Sequence, residues 1–141
     1  MRNQNRINER GVTLIELVVV MVILALFATL VGQQLFSKVG KARQTQARTQ
    51  IQEFESVLDM FRLDVGRYPT TEEGLQALQV KPASVDNWDG PYLKKDIPLD
   101  PWNHAYVYHC PGQHGDYDLV SLGQDGQEGG DGEAADVVSW K

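Results

Sequence analysis

The chain has 141 residues, 42% of them hydrophobic, and a net charge of −6, which leaves room for one domain with a small core once an apolar run is set aside. The charge is segregated. No Lys or Arg lies between Asp96 and Trp140, where Asp116, Asp118, Asp125, Glu128, Asp131, Glu133 and Asp136 crowd together; this excludes a nucleic-acid surface, suits a cation or bulk solvent, and the lone Cys110 excludes an intrachain disulfide.

In chain order, Arg2, Arg6 and Arg10 stand against Glu9 alone and precede the run GVTLIELVVVMVILALFATLVG. The pattern has the outline of a secretory signal, but no A-x-A site follows it; Gln33, Gln34 and Phe36 do. As a helix, Val12 to Val31 spans about 30 Å at ~1.5 Å per residue, enough to cross a bilayer. The basic leader places the N-terminus in the cytoplasm and everything beyond Gly32 outside it. A plain anchor leaves Glu16 unexplained, because a charge in hydrocarbon costs roughly 2.5–3.5 kcal/mol. The local alternative is a helix-end carboxylate snorkelling to the interface and held by the N-terminal dipole.

No proline occurs before Pro69, so one long helix from about Val12 to Val65 is the simplest reading. Ile51, Phe54, Leu58, Phe61 and Val65 fall on one face, while Thr45, Arg48, Gln52, Glu55 and Asp59 form a polar one. The apolar face is expected to bury against the chain's own globular part; a coiled-coil partner is the rival. Gly66 and Pro69 stop the helix. Thr70 and Glu73 fit a capping box that opens a short helix through Leu75 and Leu78. Ala105 to Cys110 and Tyr117 to Leu122 read as strands of a two- or three-stranded antiparallel meander against the helix. Trp88, Tyr92, Trp102, Tyr106 and Tyr108 read as core and turn packing, and Trp140 as the dock of the C-terminus.

The loop LGQDGQEGGDGEAAD sets carboxylates among glycines, which let the backbone turn carbonyls inward. Carboxylate and carbonyl oxygens in sets of about 6–8 are what calcium takes, although the spacing is not that of an EF-hand. The alternative is a solvated acidic loop. His104, His109, Cys110 and His114 suit zinc in type but not in spacing, since neighbours on a strand face opposite ways. Ser121 has no base at a recognisable spacing, and no phosphate-binding glycine loop follows a strand.

RGVTLIELVVVMVIL resembles the class III signal of type IV pilins and pseudopilins. That resemblance implies cleavage by a prepilin peptidase between Gly11 and Val12, N-methylation of Val12, and retention of the apolar helix. Glu16 becomes the fifth residue of the mature chain, and its carboxylate pairs with the new α-amino group of a neighbour or of its own chain. The family usually carries Phe at the position of Val12 and often Pro at that of Gln33. Further on, GRYPTTEEGLQAL, GPYL, PLDPW, YDLVSLGQDGQEGG and ADVVSW resemble the major pseudopilin of bacterial type II secretion systems.

The implied fold is α+β and type IV pilin-like: a leader over 1–11, a transmembrane and filament-core helix over 12–35, and a periplasmic globular domain over 36–141. By the same resemblance the glycine loop binds calcium through Asp125 and Asp136. Asp131 substitutes for an acidic residue that many relatives carry where this chain has Gly132, with Glu133 the other candidate, and the carbonyls of Leu122 and Gln127 complete the set. The implied role is structural and not enzymatic: a homopolymer that helps export folded proteins. Its partners would be minor pseudopilins, the prepilin peptidase, the inner-membrane secretion platform and, before assembly, membrane lipid. A type IV pilin of a surface filament and a signal-anchored periplasmic metal-dependent enzyme are the alternatives.

Overall fold

A computed structural model describes residues 11–141, the side chains of 33–37 excepted; Arg2, Arg6 and Arg10 of the basic leader lie outside the described residues. The first element, α1, is a helix of 52 residues, Leu14–Val65. Its backbone stays helical through Gly32. Contacts divide the chain between Lys38 and Val39.

In the first unit, the 19 residues Leu14–Gly32 are long and apolar enough to cross a membrane, and none of them is buried by protein. A helix is the form such a run takes in hydrocarbon, because it satisfies every backbone polar group internally.

In the second unit α1 supplies one wall of the core. Ala47, Ile51, Phe54, Leu58 and Phe61 are at most 2% exposed, so the expected face is covered by the chain itself rather than left for a coiled-coil partner. Val65 is only half-buried. The helix stops at Gly66, whose φ of +84° favours glycine and whose N–H reaches the Arg62 carbonyl at 2.7 Å.

Thr70 and Glu73 form the expected capping box: Thr70 N–H donates to Glu73 (2.8 Å) and Glu73 N–H to Thr70 Oγ1 (3.2 Å). What it opens is not an α-helix. Gly74 takes φ 57°, ψ −165°, which breaks α geometry, and only a 3-10 turn, Leu75–Leu78, follows. Leu75, Ala77 and Leu78 still reach the core.

The sheet has three antiparallel strands in the order β1 (Val107–His109), β2 (Asp118–Ser121), β3 (Val137–Val138). Tyr108 pairs with Leu119, and Ser121 with Val137. β1 and β2 are shorter than the sequence predicts. Cys110 N–H is committed to Thr71 Oγ1 at 2.9 Å, and Gly123, with φ +64°, turns the chain out of β2. Tyr106, Tyr108, Leu119 and Val137 face α1 across the core, with Phe54 and Tyr106 edge to face at 5.2 Å. Trp88, Tyr92 and Trp102 pack at the margin of the same core.

Candidate metal loop and N-terminal helix site

The segment between β2 and β3 is the glycine-rich loop, and several of its polar groups pair within it. Asp125 accepts from Gln127 N–H at 3.1 Å, closing a tight turn. Gln124 N–H donates to the Glu133 carbonyl (2.9 Å) and Asp136 N–H to the Gly129 carbonyl (3.2 Å). Gly123 is where the two legs of the loop cross: a Cβ there would lie 2.9 Å from the Ala134 and Ala135 carbonyl oxygens. The Asp136 carboxylate has two different oxygens. Oδ2 accepts from Gly129 N–H at 2.8 Å; Oδ1 is buried with no hydrogen-bond partner.

Leu122, Glu128 and Asp136 line a common cavity of about 300 Å³ with Asp118, His114 and Trp140. Asp125, Gln127 and Asp131 are exposed. Asp131 precedes a 3-10 turn, Gly132–Ala134, without capping it. Among the described residues no three Asp, Glu, His or Cys side chains converge into a metal cage; Leu122 and Asp136 share the cavity, and Asp125 and Asp131 are exposed outside its lining. Glu133 points elsewhere, to Arg43 of α1 at 3.7 Å.

The residues suited to zinc make unrelated contacts. His104 Nδ1 donates to the Gly123 carbonyl at 2.9 Å. His114 Nδ1 lies 3.1 Å from Asp118, and its ring stacks on Trp140 at 3.9 Å, which docks the C-terminus. Asp118 is buried. Burial alone would raise its pKa, but hydrogen bonds from Gln113 N–H, the His114 ring and His114 N–H bring it below the usual carboxylate range.

Sequence reasoning missed two supports of the loop and, away from it, one ion pair at the Thr70–Glu73 cap. Asp100, 3% exposed, accepts from Trp102 N–H (3.0 Å), His104 N–H (2.8 Å) and Ser121 Oγ (2.6 Å), tying the end of β2 to the preceding turn. Asp-Pro before a turn was a readable sign of such a hub. Gln44 Nε2 donates to the carbonyls of Gly132 (3.1 Å) and Ala135 (2.9 Å); nothing local in the sequence announces it. Arg67 forks onto Glu73 at 2.7 and 2.8 Å.

At the other end, Gly11 and Val12 are exposed ahead of α1. Glu16 sits in its first turn. Thr13 N–H donates to Glu16 and Glu16 N–H to Thr13 Oγ1, both at 3.4 Å. This is a long-armed capping box, T-x-x-E. It gives Glu16 a local partner in the uncut chain.

A helix of membrane-crossing length continuous with the wall of a small antiparallel sheet defines a type IV pilin-like α+β protein. Residues 34–140 match the family of type II secretion system (T2SS), protein G, and residues 6–32 match the prokaryotic N-terminal methylation motif. The chain belongs to the type II secretion system protein G family. It is 46% identical over 140 residues to the type II secretion system core protein G of Pseudomonas aeruginosa, covering 96% of this chain and 97% of that one. The Vibrio cholerae serotype O1 protein of the same name is 44% identical over 135 residues, covering 94% and 92%. Among solved structures, the major pseudopilin from the type 2 secretion system of enterohaemorrhagic Escherichia coli aligns with a TM-score of 0.65 at 39% identity, covering 75% of this chain and 93% of that one.

Proposed function

We propose that this chain is the major structural subunit of a type II secretion pseudopilus. The observation that carries the reading is the protein G match over 34–140 running directly on from a methylation motif over 6–32. The protein is a polymer subunit and not an enzyme. It enters the inner membrane through Leu14–Gly32, with the leader in the cytoplasm and the globular unit in the periplasm. A prepilin peptidase cuts between Gly11 and Val12, Val12 is methylated, and the new amine pairs with Glu16 during assembly. Copies of the chain then polymerise with minor pseudopilins on the inner-membrane platform. In a type II secretion host lacking its own major pseudopilin, the native chain is expected to restore export and form fibres, and Gly11→Val to remain uncut. A native chain whose mature N-terminus is not Val12 overturns the reading.

The glycine loop is a calcium site in this proposal. What supports it is the Asp136 oxygen, buried and unpartnered: leaving such a group unmatched costs about 1–3 kcal/mol, more for a charge. A cation would supply the missing partner. Asp131, and Asp125 through the carboxylate oxygen not held by Gln127 N–H, close over it with the Leu122 and Gln127 carbonyls. Asp131 is preferred to Glu133, whose carboxylate faces Arg43.

A further inference from the structure

We infer that Gln44 is a positioning residue that couples cation occupancy of the glycine loop to helix α1; the inference rests on the calcium reading above. The geometry is specific. One side-chain amide nitrogen reaches two carbonyls, Gly132 at 3.1 Å and Ala135 at 2.9 Å. Both partners are acceptors, so the amide must present its NH2 group to the loop. These carbonyls bracket the Gly132–Ala134 turn, which lies between Asp131 and Asp136 in sequence. The segment separating two of the proposed ligands is therefore clamped by one side chain of α1.

Two further contacts seat the same turn on the same stretch of helix. Arg43 reaches Glu133 at 3.7 Å, an exposed pair that adds little by itself. Gly40 is buried, and a Cβ there would run into the Glu133 side chain. Gly40, Arg43 and Gln44 share one face of α1 at spacings of three and four, on the first turns of the helix past the unit boundary. A cation closing Asp125, Asp131 and Asp136 orders the residues that Gln44 already holds. Each constraint lowers the entropy the other must remove, so the two are thermodynamically coupled. Coupling is reciprocal: if Gln44 strengthens calcium binding, calcium must tighten the Gln44 contact with α1.

The test uses the full chain in detergent micelles, stripped by chelator and titrated with calcium. Gln44→Ala removes both hydrogen bonds. Gln44→Glu keeps the shape and helix propensity but sets oxygen against two carbonyls, and it serves if the alanine variant folds poorly. Both are expected to bind calcium about tenfold more weakly than the native chain, within the usual range of coupling between sites. By hydrogen exchange, calcium is expected to protect the α1 amides around residues 40–48 in the native chain and not in either variant. Native-like affinity in both variants, or calcium protection of α1 that persists in them, overturns the coupling while leaving the calcium site standing. A native chain that binds no calcium overturns the site itself, and the coupling with it.

Discussion

Under the proposed cleavage, the Glu16 carboxylate has two partners in succession. In the uncut chain it closes the first turn of α1 with Thr13 at 3.4 Å. That hydrogen bond is long, so little would be lost if the proposed cleavage offered a free amine at Val12. Glu16→Ala is expected to insert and be cut normally, since it removes a charge from hydrocarbon, yet to form few fibres; native fibre yield by electron microscopy would show the pairing to be dispensable. Glu73 is the opposite case, a carboxylate fully committed within the fold. The Arg67 fork, working against its burial and joined by Ser84 Oγ and Thr70 N–H, lowers its pKa from 4.5 to about 2. A lowered folded-state value means that the stabilisation is present above the unfolded value and fades as pH falls from about 4.5 toward 2. With Arg67 partly in solvent, the effect is roughly 1–2 kcal/mol. Glu73→Gln is therefore expected to lower the melting temperature at pH 7 and to flatten its acid dependence in that window; parallel native and variant curves between pH 5 and 2 would remove the role given to this pair.

At the scale of elements, α1 obeys two solvents. From Leu17 to Gly32 its side chains are apolar on every face apart from Thr29, and none is buried by protein; beyond Gly40 it is amphipathic, with Leu58 and Phe61 fully buried. The sheet could not bury its inner face without it, since three strands of two to four residues are too small to be stable alone. Leu58→Ala is expected to cost about 2–5 kcal/mol, the usual range for emptying a packed leucine site. Gln52→Ala, six residues before it on the exposed face, should stay within about 0.5 kcal/mol. Thermal unfolding followed by near-ultraviolet circular dichroism distinguishes them; equal losses would mean that the buried stripe is not the core of the second unit.

Over the molecule as a whole, much of the negative charge gathers in the glycine-rich loop between β2 and β3. Gly126, Gly129, Gly130 and Gly132 all take positive φ, so ordering this loop costs about 1–2 kcal/mol per residue. A cation bound only by the folded chain repays part of that by mass action, about 2.7 kcal/mol at a hundredfold excess over its dissociation constant. Calcium is expected to raise the melting temperature of the full chain in micelles, a chelator to reverse the shift, and Asp125→Ala or Asp136→Ala to abolish it. Magnesium, which prefers a tight octahedron and keeps its waters, should do much less. Coincident melting curves with calcium and with chelator would leave a solvated acidic loop.

By itself the sequence determined what depends on local order along the chain. The apolar run fixed the membrane-length helix, spacings of three and four fixed which face of α1 is buried, and Gly66 fixed where it stops. Thr70 and Glu73 fixed a cap. These signals are legible because their partners lie within one or two helical turns. Only the tertiary structure decided that Gly74 cuts the second helix down to a 3-10 turn, and that Val137 and Val138 form a third strand through pairing with β2. It alone decided that Asp100 braces Ser121 and that Gln44 clamps the turn of the glycine loop. These contacts join residues 21 apart in one case and 88 and 91 apart in the other. No periodicity or motif encodes such a meeting, because it exists only once the core has brought α1 and the sheet together.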